Sequence, residues 1–165
     1  MASSPKVLIM MGSDSDLPVM QEAADILVHF GVDYEIRISS AHRSPVRTMT
    51  LASEAAGRGI RIIIAGAGMA AHLAGVVAAK TTLPVIGVPM PGGALNGVDA
   101  LYSTVQMPGG IPVATMAIGK AGAKNAGLFC IQILALNDER LAKAINDYRT
   151  AMDRDVEAKD AALQG

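Results

Sequence analysis

Apolar residues recur along this chain in two periods, and the period switches repeatedly. Val7-Leu8-Ile9-Met10-Met11 is an unbroken apolar run that stops at Gly12. A strand covered by helices on both faces of a parallel sheet reads this way. Leu17, Met20, Ala23, Ala24, Leu27 and Val28 then recur at helical spacing, which predicts a helix over 17–30 stopped by Gly31. Tyr34-Glu35-Ile36-Arg37-Ile38 alternates, as a strand nearer the sheet edge does. Ser44-Pro45 reads as N-cap and first residue of a helix ending near Gly57. The alternation continues with strands over 61–65, 84–88 and 112–118 and helices over 70–80, 98–106 and 122–136. Five such strand–helix units predict an α/β fold of three αβα layers. Its core is a flavodoxin-like parallel five-stranded sheet in the order 2-1-3-4-5.

The tail differs. Over 138–160, 12 of 23 residues are charged, which predicts a solvated C-terminal helix with Leu141, Ala144, Ile145, Tyr148 and Met152 on one side. No linker, repeat or low-complexity tract divides the chain. The expectation is one domain over 1–165, with its core at about 6–137 and the charged helix at about 138–160.

Composition narrows the partners. The chain is 51% hydrophobic but only 3% aromatic, so its apolar mass is small and aliphatic, with 28 Ala and 17 Gly among 165 residues. A charged fraction of 18% and a net charge of -1 exclude a disordered chain and a basic nucleic-acid binder. The lone Cys130 forbids an intrachain disulfide and reads as buried packing. The apolar run after residues 1–6 is too short for a secretory leader. The 18 uncharged residues over 62–79 sit at the lower edge of membrane-spanning length. They break at Ala65-Gly66-Ala67-Gly68, which predicts a strand, a turn and a helix, with no membrane contact. Over 62–119 only Lys80 and Asp99 are formally charged. That surplus of apolar residues predicts contacts between subunits, since obligate interfaces resemble a core cut in half.

In such a sheet, ligands bind beyond the carboxyl ends of the strands. The loop after the first strand, Gly12-Ser13-Asp14-Ser15-Asp16, offers hydroxyls and backbone N–H groups at a helix start, a ready anion site. Asp16 suits either a helix cap or a sugar-hydroxyl acceptor. After the second strand come Ser40-Ala41-His42-Arg43. An Arg at a helix start gains nothing from the dipole, so Arg43 points to an anionic ligand such as a phosphate, the alternative being a solvated side chain. His42 exchanges a proton near neutral pH. After the third strand, small residues let a ligand approach the backbone. There His72 is either a ligand contact or a structural helix-start residue. After the fourth strand comes a Gly- and Pro-rich loop over 90–97. No paired His/Cys spacing suggests a metal, and neither nucleotide-binding glycine fingerprint is complete.

Several segments in order carry a family resemblance. They are Gly12-Ser13-Asp14-Ser15-Asp16, Ser40-Ala41-His42-Arg43 and Ala65-Gly66-Ala67-Gly68 with Ala70-Ala71-His72-Leu73. Pro84-Val85-Ile86-Gly87-Val88-Pro89, Val105-Gln106-Met107-Pro108 and Ala121-Gly122-Ala123-Lys124-Asn125-Ala126 follow. Together they closely resemble the class I N5-carboxyaminoimidazole ribonucleotide mutases of purine synthesis, the phosphoribosylaminoimidazole carboxylase catalytic subunit family. The resemblance implies a cytoplasmic homo-octamer that uses no cofactor. It implies migration of a carboxylate from the exocyclic nitrogen to ring carbon 4, through release and recapture of CO2. It makes His42 the general acid/base. It places Ser13, Ser15, Asp16, Ser40 and Arg43 on the ribonucleotide, with Asp16 at the ribose and Arg43 at the phosphate. Ala67, Gly68, Met69, Ala70, His72 and Leu73 would surround the migrating carboxylate. Met69 stands where the family carries Gly, and Ala74 where it carries Pro. The nearest relatives by resemblance, class II carboxylases, take CO2 directly. A phosphate-accepting signalling receiver needs an Asp at the end of the third strand, where this chain has Ala65-Gly66.

Overall fold

The computed structural model describes residues 5–164. Strands β1 (Val7–Met11), β2 (Tyr34–Ile38), β3 (Ile62–Ala67), β4 (Val85–Pro89) and β5 (Ala114–Thr115) form one sheet in the order β2-β1-β3-β4-β5. Every neighbouring pair is parallel. Helices α1 (Leu17–His29), α2 (Pro45–Glu54), α3 (Leu73–Ala78) and α4 (Val98–Val105) cover the two faces, and α5 (Lys120–Ala135) and α6 (Glu139–Gln164) follow. This is the three-layer flavodoxin-like arrangement expected from the period switches.

The chain falls into two compact units, one ending at Leu128 and one starting at Phe129. The first holds the sheet. All five residues of β1 are fully buried, as its unbroken apolar run requires. Alternate side chains face opposite layers. Leu8, Met10, Ile63 and Ala65 join one apolar cluster with Ala52 of α2 and with Leu73, Ala74 and Val77 of α3. On α1, Met20, Ala23, Ala24 and Leu27 are buried. The small residues act here: a Cβ on Gly127 of α5 would lie 2.9 Å from the Ala23 carbonyl oxygen, so only Gly allows that approach. In the second unit, Leu141 of α6 is buried and Ala144, Ile145 and Tyr148 are partly covered. Met152, expected on the same side, is 53% exposed, so the covered side of the tail ends within its first turns. Cys130 is fully buried, which pushes its thiol well above the ordinary range and fits a packing role.

Three boundaries depart from the periodicity. The fifth strand is two residues long rather than spanning 112–118, pairing only Ile86 with Ala114 and Gly87 with Thr115. It lies at the sheet edge, and Pro112 has no N–H to give to a ladder. Helix α3 begins at Leu73 rather than Ala70, because Met69 adopts a left-handed backbone with φ 52°. Helix α2 stops at Glu54 and tightens into a 3-10 turn over Ala56–Arg58, ending at Gly59. The remaining helix ends agree to within about one turn. Among the described residues no helix is long and apolar enough to cross a membrane.

Strand register fixes where the loops emerge. Met11 pairs with both Ile38 and Gly66, and Gly66 pairs with Val88. The carboxyl ends of β1 to β4 are therefore level, and their loops rise along one edge of the sheet. Because β1 sits between β2 and β3, the crevice lies at the strand-order switch, where α/β sheets bind ligands.

Candidate active site

A cleft of about 430 Å³ opens at that crevice. It is lined by Ser13, Ser15, Asp16, Ser40, His42 and Arg43 on one side and by Ala67, Gly68, Met69, Ala70, His72 and Leu73 on the other. Every residue that the resemblance places at the ligand thus lies in one cleft. Gly12 and Ala41 complete the lining. The fourth loop, over 90–97, lines none of it but backs its apolar side: the Met90 N–H donates to the Ala67 carbonyl at 2.9 Å, a Cβ on Gly68 would lie 3.3 Å from Met90 Cβ, and Gly93 lies against Met69.

The β1 loop is built by a capping box. The Ser13 hydroxyl accepts the Ser15 backbone N–H at 3.4 Å, and the Ser13 N–H reaches back to Asp16 Oδ2 at 3.2 Å. Asp16 is therefore the return arm of the box, and it makes no side-chain cap bond to α1. Burial pushes its carboxyl above the ordinary 3.8, against the pull of the Ser13 and Gly12 backbone bonds and the Arg43 charge. The Ser15 hydroxyl lies 3.0 Å from that of Ser13, so the exposed serines form a small donor and acceptor cluster.

The β2 loop is folded by serines. Ser44 stands at the expected N-cap, ahead of Pro45, but makes no cap bond to α2. Its hydroxyl instead accepts the Ser40 N–H and donates to the Ser40 carbonyl, both at 3.1 Å. The Ser40 hydroxyl accepts the Arg43 N–H at 3.1 Å. Beneath them the buried Ser39 and Thr48 hydroxyls meet at 2.8 Å. This frame aims Arg43 across to the β1 loop, where its Nη2 donates to the Gly12 carbonyl at 3.1 Å. One of the five guanidinium donors is used there, at the mouth of the anion-accepting loop.

His42 Nε2 and His72 Nδ1 lie 2.7 Å apart, with the rings edge to face. One imidazole donates and the other accepts, and the tautomer decides which. Thirty residues separate them in sequence, and only the β1–β3 and β1–β2 pairings bring their loops together.

Sequence reasoning missed Ser103. Its hydroxyl, on α4, accepts the Ala71 N–H at 3.0 Å; its own nearest acceptor is the Asp99 carbonyl at 2.8 Å, with the Met69 carbonyl 3.3 Å away. It thereby holds the β3 loop. A Ser inside an apolar helix carries no local signal for that role. Among the described residues no group of three or more His, Cys, Asp or Glu stands ready to hold a metal ion.

The AIR carboxylase family model matches residues 6–155. The N5-carboxyaminoimidazole ribonucleotide mutase of Thermotoga maritima is 55% identical over 97% of this chain and 92% of its own. That of Bacillus subtilis is 58% identical over 88% and 90%. The crystal structure of Treponema denticola PurE superposes with a TM-score of 0.87 at 31% identity, covering 98% of this chain and 99% of that one. A family match that omits only the chain's ends, and relatives that share more than half its residues, place the chain in the AIR carboxylase family.

Proposed function

We propose that the chain converts N5-carboxyaminoimidazole ribonucleotide into 4-carboxy-5-aminoimidazole ribonucleotide, an isomerisation in purine synthesis, with His42 as general acid and then general base. The curated relatives bearing that mutase name support the reaction. The observation that carries the residue roles is the gathering of His42, Arg43 and Asp16 at one cleft, with a second imidazole against the first.

The chemistry asks little of the protein beyond placement and one proton. The carbamate N–C bond breaks and its electron pair stays on nitrogen. Protonated His42 gives that nitrogen a proton as CO2 departs. Ring carbon 4, an enamine-like nucleophile, attacks CO2 and then bears both carboxylate and hydrogen. Neutral His42 removes that hydrogen as a proton and restores the aromatic ring. The two transfers are opposite, so one imidazole ends as it began and the balance calls for no cofactor. In this reading Arg43 holds the phosphate, Asp16 the ribose hydroxyls, and Ser13, Ser15 and Ser40 support both. The backbone over 67–70, with His72 and Leu73, faces the migrating carboxylate.

Supplying the purified chain with the N-carboxylated ribonucleotide, and separately with the bare ribonucleotide plus bicarbonate, tests the assignment spectroscopically. Efficient turnover of the first supports a mutase. Turnover only with the second makes the chain a carboxylase using CO2 directly.

A cytoplasmic homo-octamer belongs to the same proposal. Leu95, Val98, Tyr102 and Val105, on α4 and the loop before it, are each more than 40% exposed in a tract almost without charge. Such a surface suits a second copy of the chain. A monomer by light scattering would contradict it.

A further inference from the structure

Met69 is a costly residue where it stands. Its φ of 52° places a long side chain in the left-handed region, which residues other than Gly, Asn and Asp seldom occupy. The Ala71 N–H closes the turn, lying 2.9 Å from the Met69 carbonyl and 3.0 Å from the Ser103 hydroxyl, so Ser103 of α4 supports the conformation from outside. Strain held in this way gathers at functional sites. The side chain is not spent on the core, since Met69 is 62% exposed. It lines the cleft beside His72 and leans on the fourth loop, where a Cβ on Gly93 would lie 3.2 Å from Met69 Cγ. Gly93 has φ 65°, so that seat is kept flat by a residue suited to its backbone.

The cleft is otherwise rimmed by hydroxyls, imidazoles, a guanidinium and small side chains. A thioether on three rotatable bonds is flexible, apolar and polarizable. We propose that Met69 is a specificity-determining residue that covers the carboxylate end of the cleft and retains the CO2 released between the two half-reactions. This rests on the mutase reading and deepens it. After the N–C bond breaks, CO2 has two fates. Attack by ring carbon 4 gives the isomerised product, with His42 taking the displaced proton. Escape to water leaves the decarboxylated ribonucleotide, and bicarbonate from solution can supply a replacement carbon. An apolar cover favours the first fate by excluding water from the neutral intermediate.

The test is isotope partition. The enzyme turns over unlabelled N-carboxylated ribonucleotide in labelled bicarbonate with carbonic anhydrase present, and the label in the product carboxylate is measured. Met69→Gly, which suits the backbone, should melt at or above the wild-type temperature. It should incorporate at least about 3-fold more label and release more decarboxylated ribonucleotide. Met69→Leu, keeping an apolar cover, should restore wild-type partition. Should Met69→Gly fail to fold, Met69→Asn carries the same expectation, since Asn tolerates the left-handed region. Equal label incorporation by wild type and the folded Gly or Asn variant overturns the role of Met69. Failure of the wild type to turn over the N-carboxylated substrate overturns the mutase reading instead.

Discussion

The two walls of the cleft are built on opposite principles. The wall from β1 and β2 is polar and ties itself together: Ser13 with Asp16, Ser44 with Ser40, Ser40 with Arg43, Arg43 with Gly12. The wall from β3 is Ala, Gly, Met and Leu, with His72 as its sole ionisable side chain, and is held from outside by the Ser103 hydroxyl on the Ala71 N–H and the Met90 N–H on the Ala67 carbonyl. A polar loop can supply its own hydrogen-bond partners and so define its shape locally. A loop of small apolar residues has only its backbone to anchor, and a neighbouring element must do it. The first kind of wall suits a charged, hydroxylated ribonucleotide. The second suits a small neutral molecule that water must not reach.

Substitutions on each wall should separate these duties. The largest effect belongs to His42→Asn, which removes the proposed proton carrier. We expect turnover to fall at least ~100-fold, the usual contribution of a general acid–base group. Ribonucleotide affinity, measured by calorimetry, should change far less. Wild-type turnover in this variant would make the acid/base role wrong.

Arg43→Ala comes next, on the same wall. Loss of a charged hydrogen bond costs about 1.5–3 kcal/mol, so KM should rise roughly 10- to 100-fold while kcat falls less. An unchanged KM would refute the phosphate role. On the other wall, Ser103→Ala should leave affinity for the phosphate end intact but loosen the loop over 69–71. About 1 kcal/mol of stability should go with the lost hydrogen bonds. The split to look for is a lower kcat with little change in KM. Equal losses in both would mean that the walls are not independent.

Asp16 gives the smallest and most pH-dependent effect. Burial raises its carboxyl above 3.8, so the folded chain binds that proton more tightly than the unfolded chain. This contribution to stability is fully present below 3.8 and is lost as pH rises through the raised folded value. At neutral pH the ionised carboxylate is a net cost, partly offset by the Ser13 and Gly12 backbone bonds. Asp16→Asn, whose amide oxygen can still accept from Ser13, should therefore melt slightly higher than wild type at pH 7. The difference should vanish below about pH 4, while ribonucleotide binding weakens at all pH values. A lower melting temperature at pH 7 would show that the capping box depends on the charge.

The polar wall was the more legible of the two, and for a physical reason. Its functional residues fall in two contiguous runs, and the bonds within each run span two to four positions, so Gly12 to Asp16 and Ser40 to Arg43 announced themselves locally; only the Arg43 bond to Gly12, 31 positions away, joins the two runs. Even there, detail escaped. Ser44 occupies the N-cap position while its hydroxyl serves Ser40, a choice between two nearby partners that spacing does not decide. On the apolar wall the partners are remote. Ser103 lies 32 residues from Ala71, and His72 lies 30 from His42. The left-handed turn at Met69, which delays α3 to Leu73, had no Gly or Asn to signal it.

What the sequence determined by itself was the alternation of periods, and with it the parallel sheet, its order and the edge where ligands bind. A helix buries one stripe and a central strand buries both faces, and each leaves that period in the chain. Tertiary structure alone decided how the loops meet. The strand register levels their roots, Ser103 fixes the strained turn, two imidazoles come to 2.7 Å, and Met69 lies over Gly93. Those contacts join residues far apart in the chain, and no local propensity records a partner that only folding supplies.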